Sequence, residues 1–90
     1  MKSKSIARRA ANHRARGKVK EDLLRKLGEA IRRLRRQKKM SQVALAARAD
    51  IHRTYICHIE RGERDIPLSS LANLAQALGT SISNLTTGIK

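Results

Sequence analysis

The residue types that most often do chemistry lie together between positions 52 and 58, as His52, Cys57 and His58. Adjacent side chains on a helix point about 100° apart. Cys57 and His58 therefore do not face a shared ligand, and no second group of ligands follows at the spacing of a zinc site. The sequence also shows no general base, held by an orienting partner, that could activate the Cys57 thiol as a nucleophile. The sequence thus predicts no catalytic residue, no metal site and no cofactor, and leaves redox sensing by Cys57 as an alternative.

The same segment is better suited to contacting nucleic acid. A helix over about 53–61 with Ile56 and Ile59 facing inward has an opposite, outward face. An arginine at the start of such a helix can bond guanine through two donors, which is worth about 1–3 kcal/mol of discrimination between bases. Arg61, at the end of this helix, is more typical of a phosphate contact, because phosphate contacts outnumber base contacts. The outward face carries Thr54, Cys57, His58 and Arg61, with Arg53 beside them at the helix start.

The charge balance favours the same kind of partner. Lys and Arg outnumber Asp and Glu by 21 to 7, for a formal net charge of +14, and such an excess attracts polyanions. Tyr55 is the only aromatic residue, whereas single-strand binders stack bases on several rings, so double-stranded DNA is expected. No apolar run approaches the roughly 18 residues of a membrane span, and the N-terminus lacks the apolar segment of a signal peptide. With a single cysteine, a cytoplasmic protein without membrane contact is expected.

Residues 1–20 differ from the rest of the chain, because they contain no acidic residue and little that can pack. We expect them to form a basic arm, flexible or partly helical, that lies along DNA. Residues 21–90 are expected to form one DNA-binding domain. The basic residues of the arm are Lys2, Lys4, Arg8, Arg9, Arg14, Arg16, Lys18 and Lys20.

Apolar residues recur at spacings of three and four along residues 21–90, the period of a helix with one buried face. Predicted helices cover about 22–38, 42–48, 53–61 and 68–78, and a short fifth helix follows Ser81. Ser41 is typical of a helix N-cap and Gly62 of a helix end. No segment alternates with a period of two, so we expect an all-α fold. The predicted core contains Leu24, Leu27, Ile31, Leu34, Leu45, Ala46, Ile56, Ile59, Leu71, Leu74, Ala75 and Leu78.

Several of these segments, taken together, resemble one family. They are Met40-Ser41-Gln42, Leu45-Ala46, Tyr55-Ile56, Ile59-Glu60-Arg61-Gly62 and Leu74-Ala75-Gln76-Ala77-Leu78-Gly79. From about residue 27 to 85, without a gap, the chain resembles the phage-repressor/Cro (XRE-type) helix-turn-helix regulators. Residues 61–66, Arg-Gly-Glu-Arg-Asp-Ile, also resemble the controller proteins of restriction–modification systems.

The resemblance implies a five-helix, lambda-repressor-like fold whose third helix enters the major groove of DNA. It maps the base contacts onto Arg53, Thr54, Cys57 and His58, and it pairs the helix-one Arg35 with Glu60 as a structural ion pair. The phosphate contacts are then expected at Ser41, Gln42, His52, Tyr55, Arg61 and Arg64.

Four positions depart from the family pattern, one of which is Asn84, where a glutamate is common and would complete a capping box with Ser81. Lys39 and Asp50 stand where glycine is common, at points where a left-handed backbone is expected at a cost of about 1 kcal/mol each. His52 replaces the usual serine or threonine cap of the recognition helix.

The predicted function is sequence-specific DNA binding and transcriptional regulation by a homodimer. Apolar residues near the C-terminus, Ile82, Leu85 and Ile89, are expected to form the dimer contact. One alternative is a role in protein interaction with the same fold, as an antitoxin that binds a toxin or as a coactivator that bridges the transcription machinery. A further alternative is non-specific binding of RNA or ribosomes through the basic arm.

Overall fold

The computed structural model describes the backbone of residues 2–87 and the side chains of residues 19–87. Over the described backbone the fold contains α-helices and no strand, which confirms the predicted all-α class. α1 packs against α3 and α5, and α2 packs against α3 and α4. The helices are α1 (Lys2–Gln37), α2 (Gln42–Ala49), α3 (Arg53–Glu60), α4 (Leu68–Ala77) and α5 (Ile82–Thr86).

The first helix begins much earlier than the predicted start near residue 22. Residues 2–20 contain no proline and are rich in Ala, Arg and Lys, which favour helix. Asp22 consequently lies inside α1, where its Oδ1 accepts a hydrogen bond from Arg25 Nη2 at 2.7 Å. Hydrogen bonds from Arg25 and Lys26 hold the pKa of the exposed Asp22 carboxyl below its usual value.

Ten of the twelve predicted core residues are buried. Leu34 lies at the margin of the core, partly buried against it. Leu24 was predicted wrongly, since it is half-buried and lies outside the core cluster. At that point α1 runs beside the backbone of Gly62, in the loop after α3. The buried residues outside the predicted core include Ala30, Met40 and Leu85.

The turns contain the local features expected of them. Ser41 caps α2 by accepting a hydrogen bond from the backbone N–H of Ala44 at 3.0 Å. Lys39 and Asp50 both have a φ of 55°, which confirms that these positions require a left-handed backbone. His52 acts as the cap of α3, because its Nδ1 accepts a hydrogen bond from the Thr54 N–H at 3.1 Å. A histidine thus does here what a serine or threonine hydroxyl usually does.

Two glycines allow α1 to approach α3 and the loop that follows it. A Cβ at Gly28 would collide with the carbonyl oxygen of Ile59 and lie 2.8 Å from that of Glu60. Gly62 has a φ of +73°, and a Cβ there would lie 2.7 Å from the Arg25 Cα. The backbone contact at these two points sets the position of α3 on α1.

Candidate nucleic-acid interface

The outward face of α3 is set by two buried anchors. Ile56 and Ile59 are almost completely buried in the core, and side chains three or four positions apart share a helix face. Their burial turns the predicted base-contacting residues to the other side of the helix. Of these, Arg53 and Thr54 are exposed at the start of α3, whereas Cys57 and His58 are half-buried further along.

The turn between α2 and α3 is held by backbone hydrogen bonds. The N–H of Ile51 donates to the carbonyl of Ala46 at 3.0 Å, and the N–H of Asp50 donates to that of Ala47 at 3.4 Å. These bonds close the end of α2 just before α3 begins at Arg53, and they leave the first residues of α3 exposed. The first turn of a recognition helix is where base edges are usually contacted.

Three of the predicted phosphate contacts lie at the starts of α2 and α3, and each has a partner within the protein. The Ser41 hydroxyl oxygen caps α2, and the His52 ring caps α3. The Gln42 side-chain amide donates a hydrogen bond to Glu60 Oε1 at 3.2 Å. Their remaining donors and the exposed surface around them still permit a contact with an anion.

Of the other predicted phosphate contacts, Tyr55 lies in the first turn of α3, and Arg61 and Arg64 follow the helix. The Tyr55 hydroxyl donates a hydrogen bond to the carbonyl of Asp65 and so ties the loop after α3 to the helix. Arg61 and Arg64 are exposed, and Arg61 Nη1 lies 3.6 Å from Glu63 Oε1. Both guanidinium groups can reach an approaching polyanion.

His58 has an unusual environment on the outward side of α3. Its Nδ1 is buried without a hydrogen bond, although it lies 3.4 Å from Glu63 Oε2. The side chain as a whole remains 32% exposed. His58 can therefore contact a ligand only through the rest of its ring.

Glu60 is joined to Arg35 across the α1–α3 contact. Arg35 Nε donates to Glu60 Oε2 at 2.6 Å and Arg35 Nη2 donates to Oε1 at 3.0 Å, while Arg35 Nη1 donates to the carbonyl of Met40 at 2.8 Å. The hydrogen bonds that Arg35 donates to Glu60 raise the pKa of its guanidinium above the usual value. Because Glu60 is buried and fully bonded, it is suited to a structural role and not to catalysis.

The packing of α1 against α3 brings Arg32 close to Glu60. Arg32 was not among the site residues predicted from the sequence. Arg32 Nε lies 3.8 Å from Glu60 Oε1, and its side chain is 44% exposed. In the sequence, Arg32 is simply one of several basic residues of α1. The distance to Glu60 depends on tertiary packing, which no sequence spacing reveals.

Most of the basic arm falls outside the described side chains. Its contact with DNA therefore stays a prediction for all its residues up to Lys18. Lys20 is described, and its Nζ lies 2.7 Å from Asp65 Oδ2 on the loop after α3. Both partners are exposed, so the pair contributes little to stability, but it shows that α1 runs beside this loop.

The part of the chain that the structure describes offers neither a metal-ligand cluster nor a membrane-spanning helix. No three His, Cys, Asp or Glu side chains there are grouped as metal ligands. No helix in that part is both long enough and apolar enough to cross a membrane.

Comparison with known proteins places the geometry in context. A family model described as "Helix-turn-helix" matches residues 31–85. The chain is 44% identical over 66 residues to Control protein C.SmaI of Serratia marcescens, covering 73% of this chain and 79% of that protein. The crystal structure of the restriction-modification controller protein C.AhdI from Aeromonas hydrophila superposes with a TM-score of 0.68 at 37% identity, over 69% of this chain and 94% of that one. The controller protein C.Esp1396I, solved as a tetramer on its natural 35 base-pair operator, superposes with a TM-score of 0.66 at 35% identity, over 70% and 83% of the two chains.

Proposed function

Because the chain belongs to the helix-turn-helix family of DNA-binding transcriptional regulators, we propose that it recognises a specific operator through α3. The observation that carries this proposal is the exposed first turn of α3, with Arg53 and Thr54 outward and Ile56 anchored in the core. A rigid helix with a polar outer face fits the major groove of B-DNA. The relatives are bacterial, and bacterial DNA lies in the cytoplasm. We therefore expect this regulator to act in the cytoplasm.

We further propose that the protein acts as a homodimer. One recognition helix contacts only a few base pairs, and two-fold symmetry doubles the length of the site. The solved relative C.Esp1396I occupies its operator as an oligomer. Recognition helices about 34 Å apart would contact half-sites about 10 base pairs apart in an inverted repeat.

The predicted dimer contact needs one correction. Leu85 is only 1% exposed and belongs to the core of the protomer, because α5 packs against α1 and α4. It therefore offers no surface to a second copy. Ile82 is partly exposed on α5 and remains available, whereas Ile89 lies outside the described residues.

Selection of bound duplexes from a random pool tests the proposed function. We expect enrichment of an inverted repeat, with two chains per site in sedimentation equilibrium of the complex. Specific binding should exceed binding to unrelated duplex by about 10³-fold or more at physiological salt. Equal affinity for RNA and for any duplex would instead show a non-specific polyanion binder, and one chain on an asymmetric site would refute the homodimer.

Replacing Arg53 with alanine should weaken binding to the selected site by about 1–3 kcal/mol and relax the preference at one base pair, because a guanine contact is lost. Binding to unrelated duplex should change far less. Arg64→Ala is the control, since an exposed phosphate contact would weaken all sequences alike. Both are measured by fluorescence anisotropy on the selected and a scrambled duplex. If Arg53→Ala weakens both duplexes equally, Arg53 contacts phosphate and not a base.

A further inference from the structure

The carboxylate of Glu60 is a meeting point for three side chains from two other helices. Its strongest partner is Arg35, which binds both oxygens at 2.6 Å and 3.0 Å. Gln42, the first residue of α2, donates to Oε1 at 3.2 Å. Arg32, one turn before Arg35 on α1, approaches the same oxygen with its Nε at 3.8 Å.

The charges of this cluster do not balance. Two arginines face one carboxylate, and the two ion pairs are unequal. Arg35 is only 11% exposed and forms the bidentate pair, which is the stronger geometry. Arg32 is beyond hydrogen-bond distance and 44% exposed. The positive charge that Glu60 leaves uncompensated therefore lies at the surface, on Arg32.

Gln42 adds a neutral donor beside that charge. A side-chain amide has two N–H groups and a carbonyl oxygen, and Glu60 uses one N–H of Gln42. This bond holds the amide in one orientation, in which its second N–H is not directed at Glu60. Arg32 supplies a charged donor and Gln42 a neutral one. Both side chains lie beside the same oxygen, Glu60 Oε1.

We propose that Arg32 and Gln42 together bind one phosphate of the DNA backbone, and that Glu60 is the positioning residue that holds them in register with α3. This inference rests on the proposed function, and it adds Arg32 of α1 to the phosphate contact already expected at Gln42. A phosphate is the favoured ligand because Arg32 lies on α1 and not on the outward face of α3. A contact of this kind carries no sequence information but sets the register of the recognition helix on the duplex.

Arg32→Gln tests the charged half of the clamp, with Arg33→Gln as a matched control. Arg33 is equally basic and exposed, but it points about 100° away around α1. For Arg32→Gln we expect the log–log salt slope of binding to fall by about 0.9 and the affinity at 0.1 M salt to fall about eightfold, on the selected and on unrelated duplex alike. Arg33→Gln should keep the wild-type slope. The Tm of both variants should stay near that of the wild type, since exposed ion pairs contribute little.

Substituting single phosphates of the selected duplex with neutral methylphosphonate tests whether both residues share one phosphate. Wild-type protein should lose affinity at the clamped phosphate, whereas Arg32→Gln and Gln42→Ala should each lose less at that same phosphate, because one of its two partners is already gone. Gln42→Ala alone should weaken binding without changing the salt slope, because it removes no charge. The clamp is refuted if Arg32→Gln keeps the wild-type slope, or if the two variants become less sensitive at different phosphates. A wild-type protein without any duplex binding would instead refute the proposed function.

Discussion

Glu60→Gln should lower the free energy of unfolding by about 3 kcal/mol, the lower end of the range for breaking a buried ion pair by removing one partner. The carboxylate is 2% exposed and bonds Arg35 at two points. Its loss leaves a guanidinium that is 11% exposed without a counter-charge. For a domain of this size the Tm should fall by about 12–24 °C, as measured by circular dichroism.

Removal of both charges should cost less than removal of one. The double variant Arg35→Met/Glu60→Leu replaces the pair with apolar side chains and leaves no buried charge alone. Asp65→Asn is the control, because its pair with Lys20 is exposed and should contribute less than about 1 kcal/mol. A Glu60→Gln variant with the wild-type Tm would show that the pair does not stabilise the fold.

Gly28→Ala should also lower the free energy of unfolding by about 3 kcal/mol, at the upper end of the usual cost of overpacking. The added Cβ would meet the carbonyl oxygens of Ile59 and Glu60, and backbone atoms cannot rotate away as a flexible side chain could. α1 and α3 must separate to admit the methyl group. Alanine otherwise favours helix over glycine by about 1 kcal/mol, so a loss of stability would come from the contact alone.

Glu29→Ala is the matched control for Gly28→Ala. It changes the next residue of the same helix, which is exposed and pairs with Arg25 at 3.3 Å. Thermal unfolding should shift by only a few degrees, because an exposed pair of this type is worth little. If Gly28→Ala is as stable as this control or more stable than the wild type, α1 and α3 are not in backbone contact at Gly28.

Local sequence was enough to predict the helical class, the presence of all five helices and most of the core. Apolar residues at spacings of three and four identify the buried face of a helix wherever it packs, because that period belongs to the helix itself. Ser41 and Ser81 mark helix starts through bonds to a backbone N–H three residues away. The left-handed backbone at Lys39 and Asp50 follows equally from local geometry. The outward side of α3 could be predicted for the same reason.

The limits of the helices and the partners of each face depended on the packing of distant residues. Apolar spacing could not show that α1 begins at Lys2, that Leu24 lies outside the core cluster, or that Leu85 is buried where α5 packs against α1 and α4. Burial depends on which helices meet, and spacing within one helix says nothing about that. The grouping of Arg32 and Gln42 at Glu60 also depends on packing between helices. Glu60 Oε1 on α3 lies 3.8 Å from Arg32 Nε on α1 and 3.2 Å from Gln42 Nε2 on α2. Short-range periodicity thus specifies which way a side chain faces, whereas only the assembled helices bring charges from α1, α2 and α3 to one carboxylate.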